Sequence, residues 1–252
     1  MKSGDQARPD GGFRTGLESQ IGSRIEEVFN ENPASIQSKL ENFPKYIRRQ
    51  KVTRYLALYE LFKLCLSVKG SIVECGVHQG FSLMSWCNFS AVLEPNNLTR
   101  RIYGFDTFSG FKTLSQQDSS KLYKPQAGDL AADSYEELIK LIGIHDDNRF
   151  LGHMDKVHLI KGDVLHTIPA FIEEKRHLVV SLLFLDMDLY EPTKVALKAF
   201  VPRMPKGAVL AFDELDNPIW PGETMAALES VGLNNLKLQR FEFDPYIGYA
   251  VL

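Results

Sequence analysis

The stretch that most limits what this chain can fold into is residues 181–188, where Leu182, Leu183, Phe184 and Leu185 run without interruption into Asp186, with Asp188 close behind. The run is too short to cross a membrane and too continuous for a strand with one wet face. It reads as a parallel strand buried on both sides. Such a strand delivers its acids to the carboxyl edge of the sheet, where open α/β sheets bind ligands. Residues 207–212 repeat the plan and end in Asp213 and Glu214. Carboxylates at neighbouring strand ends repel one another, so a cation, a basic partner or a proton must relieve them. Ligands that are all oxygen favour a hard divalent ion, magnesium before calcium, over zinc. The competing reading makes these acids solvated loop starts or caps of the helices that follow.

A length of 252 residues with 44% hydrophobic content suits one large α/β domain, residues 45–252, behind an N-terminal extension, residues 1–44. The net charge of −3 offers no global attraction to nucleic acid or anionic membrane, so neither is expected as a partner. Cys65, Cys75 and Cys87 are odd in number, lack C-x-x-C spacing and sit in apolar patterns. That argues against a disulfide framework or a zinc site and for a reducing cytoplasm. Residues 1–16 are polar and glycine-rich without the apolar core of a signal peptide, and read as a flexible tail. No run approaches membrane-spanning length.

Along the chain, a weakly amphipathic helix is expected over residues 17–30, and Pro33 and Pro44 bracket a shorter one. Residues 45–54 carry five basic side chains and no acid, and lead into Val52, Leu56, Tyr59, Phe62 and Leu66 at helical spacing. The apolar set reads as core. The basic cluster reads as a solvated face, with phosphate or an acidic partner as the alternative. Residues 71–82 follow as strand, glycine turn and helix start, a place where backbone N–H groups approach a ligand. Glu74 precedes the first glycine, His78 takes the middle glycine position, and the dinucleotide spacing G-x-G-x-x-G is absent. A carboxylate there suits an ammonium group, for which a pyrophosphate-binding turn has no use.

After a helix over residues 83–93, strands are expected at 101–106, ending in Asp106, suited to a ribose diol, and at 157–163, ending in Asp163. Residues 108–133 between them are polar, and residues 112–133 read as a mobile lid, with a disordered segment as the alternative. Ser134 and Glu137 read as a capping box opening a helix through Leu141. A helix over residues 222–232 and two strands, 236–243 and 247–252, joined by a short turn, close the chain. So short a link makes that last pair antiparallel. The expected fold class is α/β, a Rossmann-like, mostly parallel sheet finishing in an antiparallel hairpin, with a helical N-terminal extension.

Glu74-x-Gly76-x-x-x-Gly80, Asp106, the pair Gly162 and Asp163, and the terminal hairpin together resemble the class I S-adenosylmethionine-dependent methyltransferases. Residues 103–110, 185–193 and 212–214 are similar to the macrocin O-methyltransferase group (TylF/MycF/NovP-type), whose members methylate sugar hydroxyls of natural-product glycosides. The resemblance covers residues 48–252, and its most selective part is D-x-D-L-Y-x-P-T from Asp186 to Thr193. It implies S-adenosylmethionine and Mg2+ as cofactors, with Asp186, Asp213 and Glu214 as metal ligands and Asp188 as general base. It implies that Glu74, Gly76, Val77, Gly80 and Ser82 hold the methionine end. Asp106 and Thr107 then hold the ribose, Gly162 and Asp163 the adenine, and Asp186 reaches the donor as well as the metal. Glu214 stands where the group often has a second Asp, and His78 where many methyltransferases have glycine.

The chemistry agrees with that reading. An alcohol is a poor nucleophile at neutral pH, so an enzyme that moves a methyl group to it must align the oxygen and help remove its proton. The expected partner is a small hydroxylated acceptor, a sugar first, with a homodimer left open. Three other readings stand beside it: a catechol-type O-methyltransferase, a related scaffold acting as a metal-dependent hydroxylase on a natural product, and a non-catalytic binding module.

Overall fold

A computed structural model describes residues 16–252. The tail expected over residues 1–16 therefore lies outside the described residues but for Gly16, which begins the first helix. Helices α1 (Gly16–Glu31) and α2 (Ile36–Glu41) and a 3₁₀ turn (Phe43–Lys45) lead into α3 (Arg49–Cys65). Five parallel strands follow, with a helix in each connection between them: β1 (Ser71–Cys75), α4 (Phe81–Leu93), β2 (Ile102–Asp106), α5 (Tyr135–Asn148), β3 (Val157–Lys161), α6 (Val164–Glu174), β4 (Val180–Leu185), α7 (Tyr190–Phe200) and β5 (Val209–Phe212). Helix α8 (Pro221–Ser230) then precedes β6 (Gln239–Arg240) and β7 (Gly248–Val251). The sheet order is β3-β2-β1-β4-β5-β7-β6, with β7 antiparallel to both its neighbours. This is the expected α/β architecture.

The strands alternate between two cores because successive side chains leave opposite faces. Ile72, Ile102, Leu182 and Phe184 pack with α3, α4 and α5, whereas Val73, Phe105, Leu183 and Leu185 pack with α6, α7 and α8. Beta4 is buried at every position, as its unbroken apolar run requires. Strand order reverses between β1 and β4. The crevice above their carboxyl ends is therefore the place where this kind of sheet takes a ligand.

Four local expectations are corrected. In α3, Phe62 is buried, but Val52 and Leu56 are 40% and 46% exposed. The inward stripe is Arg54, Ala57, Leu58, Leu61 and Cys65, rotated from the one the apolar spacing suggests. Ser134 forms no capping box: its hydroxyl donates to the His78 carbonyl, tying α5 to the β1–α4 turn. Alpha5 also runs past Leu141 to Asn148, because Gly143 faces open space and nothing terminates the helix there. Strand β6 is two residues rather than eight. Phe241 leaves the ladder to stack on Tyr249, and Asp244 closes the link by accepting from the Tyr246 and Ile247 N–H groups.

Candidate active site

A cavity of about 1160 Å³ opens over the carboxyl ends of β1, β2, β4 and β5. Ligand pockets for one small molecule hold roughly 300–1,000 Å³, so this one is large enough for a donor and an acceptor together. Gly76, Val77, Gly80, Ser82, Asp106, Thr107, Asp163, Asp186, Asp188, Asp213 and Glu214 all line it. Glu74 and Gly162 do not reach its surface.

The turn after β1 is shaped by the chain itself. At Gly76, with φ of 97°, a Cβ would lie 1.8 Å from the Asp186 carbonyl oxygen, so the β1 and β4 exits touch only because residue 76 has no side chain. His78 follows with φ of 51°, a left-handed conformation that costs a non-glycine residue on the order of 1 kcal/mol. That is the physical reason glycine is common there. Asp106 offsets the strain: its Oδ2 accepts from the His78 N–H at 2.7 Å, and its Oδ1 from the Phe108 N–H at 2.6 Å. Asp106 thus clamps the turns after β1 and β2 while it faces the cavity. Thr107 braces the second turn through its Oγ1, which donates to the Gly110 carbonyl at 2.8 Å. Asp163 caps α6, accepting from the Leu165 N–H at 3.0 Å, so it has a structural duty at the cavity wall.

Glu74 is fully buried under this turn. Its Oε2 accepts from the Trp86 indole at 2.7 Å, and its Oε1 has no partner. Burial raises its pKa to about 8, with Ser82 and Trp86 pulling it down by hydrogen bonding. A buried carboxylate oxygen without a donor is costly, and a ligand ammonium group above it would supply what is missing.

The acidic edge assembles as the strand pattern requires. The Asp186 N–H donates to the Cys75 carbonyl and the Asp213 N–H to the Leu185 carbonyl, both at 2.9 Å, which sets the two acids on adjacent strand ends. What relieves them is Arg54. Its Nη2 donates to Asp186 Oδ2 at 2.7 Å and its Nη1 to Asp213 Oδ1. With the side chain only 20% exposed, Arg54 stays charged against the cost of burial because Asp213 and Asp186 flank it. The solvated-face reading of the basic cluster is therefore wrong for Arg54.

One guanidinium cannot neutralise four acids. Burial and the remaining negative charge of Asp213 raise Asp188 to about 7 and Glu214 to about 8, and burial and Asp213 also push Asp186 upward. Asp188 stands at φ of 62°, a strained conformation of the kind that collects at functional sites. Gly222 packs against it so closely that a Cβ there would lie 2.8 Å from the Asp188 carbonyl oxygen.

A fifth carboxylate lies behind this edge, and sequence reasoning missed it. Glu223 is fully buried; its Oε2 accepts from the Glu214 N–H at 2.7 Å, and its Oε1 is unpartnered. A glutamate in the first turn of α8 is what the helix dipole alone would favour, so its sequence position carried no further signal.

The donor-site residues fit S-adenosylmethionine, given the unpartnered Glu74 oxygen beneath the turn and Asp106 at the β2 end. The metal set does not fit as arranged. Among the described residues no group of three or more Asp, Glu, His or Cys is disposed to hold an ion, and Arg54 occupies the inner oxygens of Asp186 and Asp213.

The family profile described as a methyltransferase domain matches residues 73–215. Among solved structures, CalS11, a calicheamicin methyltransferase, superposes with a TM-score of 0.91 at 33% identity, over 100% of this chain and 99% of that one. The apo structure of CalS11, there called a TDP-rhamnose 3'-O-methyltransferase, gives 0.83 at 33% identity over 94% and 95%. The O-methyltransferase NovP matches at 0.63 with 17% identity over 92% and 96%, a likeness of fold. No curated protein matches the chain.

Proposed function

Because the chain belongs to the methyltransferase-domain family, we propose that it is an S-adenosylmethionine-dependent O-methyltransferase whose acceptor is the hydroxyl of a sugar. The observation that carries this is a cavity lined by Asp188, a buried carboxylate of near-neutral pKa, with Glu74 and its unpartnered oxygen buried beneath the turn after β1. Likeness to CalS11 across the whole chain supports a sugar such as TDP-rhamnose as the first acceptor to try.

S-adenosylmethionine supplies a methyl group on a sulfonium, an electrophilic carbon. The residues of this chain do the rest. Glu74 holds the ammonium from below and Asp106 takes the ribose hydroxyls with its free lone pairs. Asp163 borders the adenine. The cavity wall would orient the acceptor hydroxyl toward the donor's methyl group, and an Asp188 carboxylate oxygen would take the hydroxyl proton as the methyl group is transferred. A base with a pKa near 7 is well matched to that transfer. Arg54 keeps the adjacent acids compensated while this happens.

The magnesium implied by the sequence resemblance stands apart from this mechanism. With Arg54 in place, an ion could use only the second oxygens of Asp186 and Asp213, beside the guanidinium charge. The deciding experiment is a methyl-transfer screen with S-adenosylmethionine against TDP-rhamnose, unphosphorylated glycosides and catechols, with and without magnesium. Transfer to a sugar hydroxyl is expected; transfer to catechols alone would replace the sugar reading with the aromatic one.

A further inference from the structure

The wall that α3 and the turn before it give to the cavity is unlike the rest. Phe43, Pro44, Ile47 and Val52 line it together with Lys51. Phe43 is 56% and Val52 40% exposed, so this is an open apolar platform beside a cation. Among the described residues Lys51 forms no ion pair. Its ammonium lies 5.0 Å from the centre of the Phe81 ring, over the first residue of α4. The acids closest in charge to it, Asp186 and Asp213, are already held by Arg54. Lost water and then the nearby Arg54 and Arg48 lower the Lys51 pKa, with Asp186 and Asp213 pulling it the other way.

We propose that Lys51 holds the diphosphate, and the wall of Phe43, Pro44, Ile47 and Val52 the nucleobase, of a nucleoside diphosphate sugar acceptor. This rests on the sugar reading above and deepens it. The two charged zones of the cavity then divide one molecule between them. The sugar lies at Asp188, where a proton must be taken. The diphosphate lies at Lys51, which among the described residues has the Phe81 ring but no ion pair. The Phe43 ring and the aliphatic side chains beside it cover the base, whose π-face stacks on an aromatic ring without regard to the base's identity. The basic cluster that the sequence shows over residues 45–54 thus divides its work, Arg54 turning to the acids and Lys51 to the ligand.

The test is calorimetric titration of the full chain, saturated with S-adenosylhomocysteine, with thymidine diphosphate as the probe. Wild type should bind it with an affinity that falls as salt rises. Lys51→Ala should weaken it at least tenfold, Lys51→Arg should restore most of the loss, and Phe43→Ala should weaken thymidine diphosphate more than inorganic pyrophosphate. S-adenosylhomocysteine affinity should stay constant throughout, which separates a lost phosphate contact from a misfolded chain. Unchanged thymidine diphosphate affinity in Lys51→Ala would overturn the proposal. So would a wild type that methylates unphosphorylated glycosides yet does not bind the probe, an outcome that leaves the O-methyltransferase reading standing. Failure to methylate any sugar while catechols react would remove the sugar reading instead.

Discussion

Glu74 is the residue whose chemistry is most sharply set by its surroundings. Its folded pKa, about 8, exceeds the value of roughly 4.3 for an unfolded glutamate. Between those values the folded chain keeps a proton that the unfolded chain has lost. The free protein should therefore gain stability as pH falls through this window, and lose it as pH rises toward 8. An ammonium ligand reverses the preference and favours the charged carboxylate. Binding of S-adenosylhomocysteine at pH 7 should then release a proton, seen as a heat of binding that depends on the ionisation enthalpy of the buffer. Glu74→Gln should abolish that dependence and weaken binding by about 1–3 kcal/mol; a dependence that survives would put the proton elsewhere. Asp188→Asn should leave S-adenosylhomocysteine affinity in place and lower kcat by about 10²–10⁴, the usual contribution of a positioned base. A small effect on kcat would reduce Asp188 to a positioning residue. Arg54→Gln removes the cation that holds Asp186 and Asp213, so magnesium should bind this variant more tightly than wild type by calorimetry. Equal affinities would mean that Arg54 does not keep the ion out.

At the scale of elements, the connection over residues 108–133 is the one whose behaviour the sequence described least. It lines the cavity with Phe111, Lys112, Thr113 and Leu130, and it is latched at two points. Phe111 and Tyr123 lie against Trp220, with ring centres at 5.8 and 5.0 Å. Asp118, buried, accepts from the Tyr190 N–H at 2.6 Å and from the Ser115 N–H at 2.6 Å. The first of these ties the loop to the start of α7, directly after Asp188. Asp118→Ala strands the buried Tyr190 N–H and should cost about 1–3 kcal/mol of stability, measured by denaturant unfolding. If the loop is a lid, limited proteolysis within residues 112–133 should slow when donor and acceptor are bound, and it should be faster in the variant at every ligand concentration. Equal cleavage with and without ligands would make it a fixed wall. The capping signal at Ser134 misled for a related reason: a serine hydroxyl bonds whichever acceptor is nearest, and the fold brings the His78 carbonyl to it.

On the scale of the whole molecule, the cavity draws on distant parts of the chain. The proposed donor end lies along residues 71–106 with Asp163, whereas the proposed acceptor wall begins at Phe43, on the extension side of the boundary expected at residue 44. Alpha1 has no buried residue. A chain lacking residues 1–31 should therefore retain its S-adenosylhomocysteine affinity; a large loss would show that α1 supports the sheet.

The sequence alone determined the sheet. Runs such as 182–185 bury both faces of a strand, helical spacing fills the crossovers, and a short final link forces an antiparallel pair, so period and length leave little choice of class. It also determined which acids share an edge, because strand ends are local facts. Only the tertiary structure decided what those acids meet. Arg54 lies 132 residues from Asp186 and 159 from Asp213, and no local pattern distinguishes it from the four basic neighbours that point elsewhere. Lys51 is separated from Arg54 by three positions, yet Arg54 pairs with Asp186 and Asp213 while the Lys51 ammonium lies over the Phe81 ring. Glu223 gives no sign in the sequence that it will be buried behind Glu214. Side-chain partners across such distances are fixed by how helices settle on the sheet, a property of packing that periodicity does not encode.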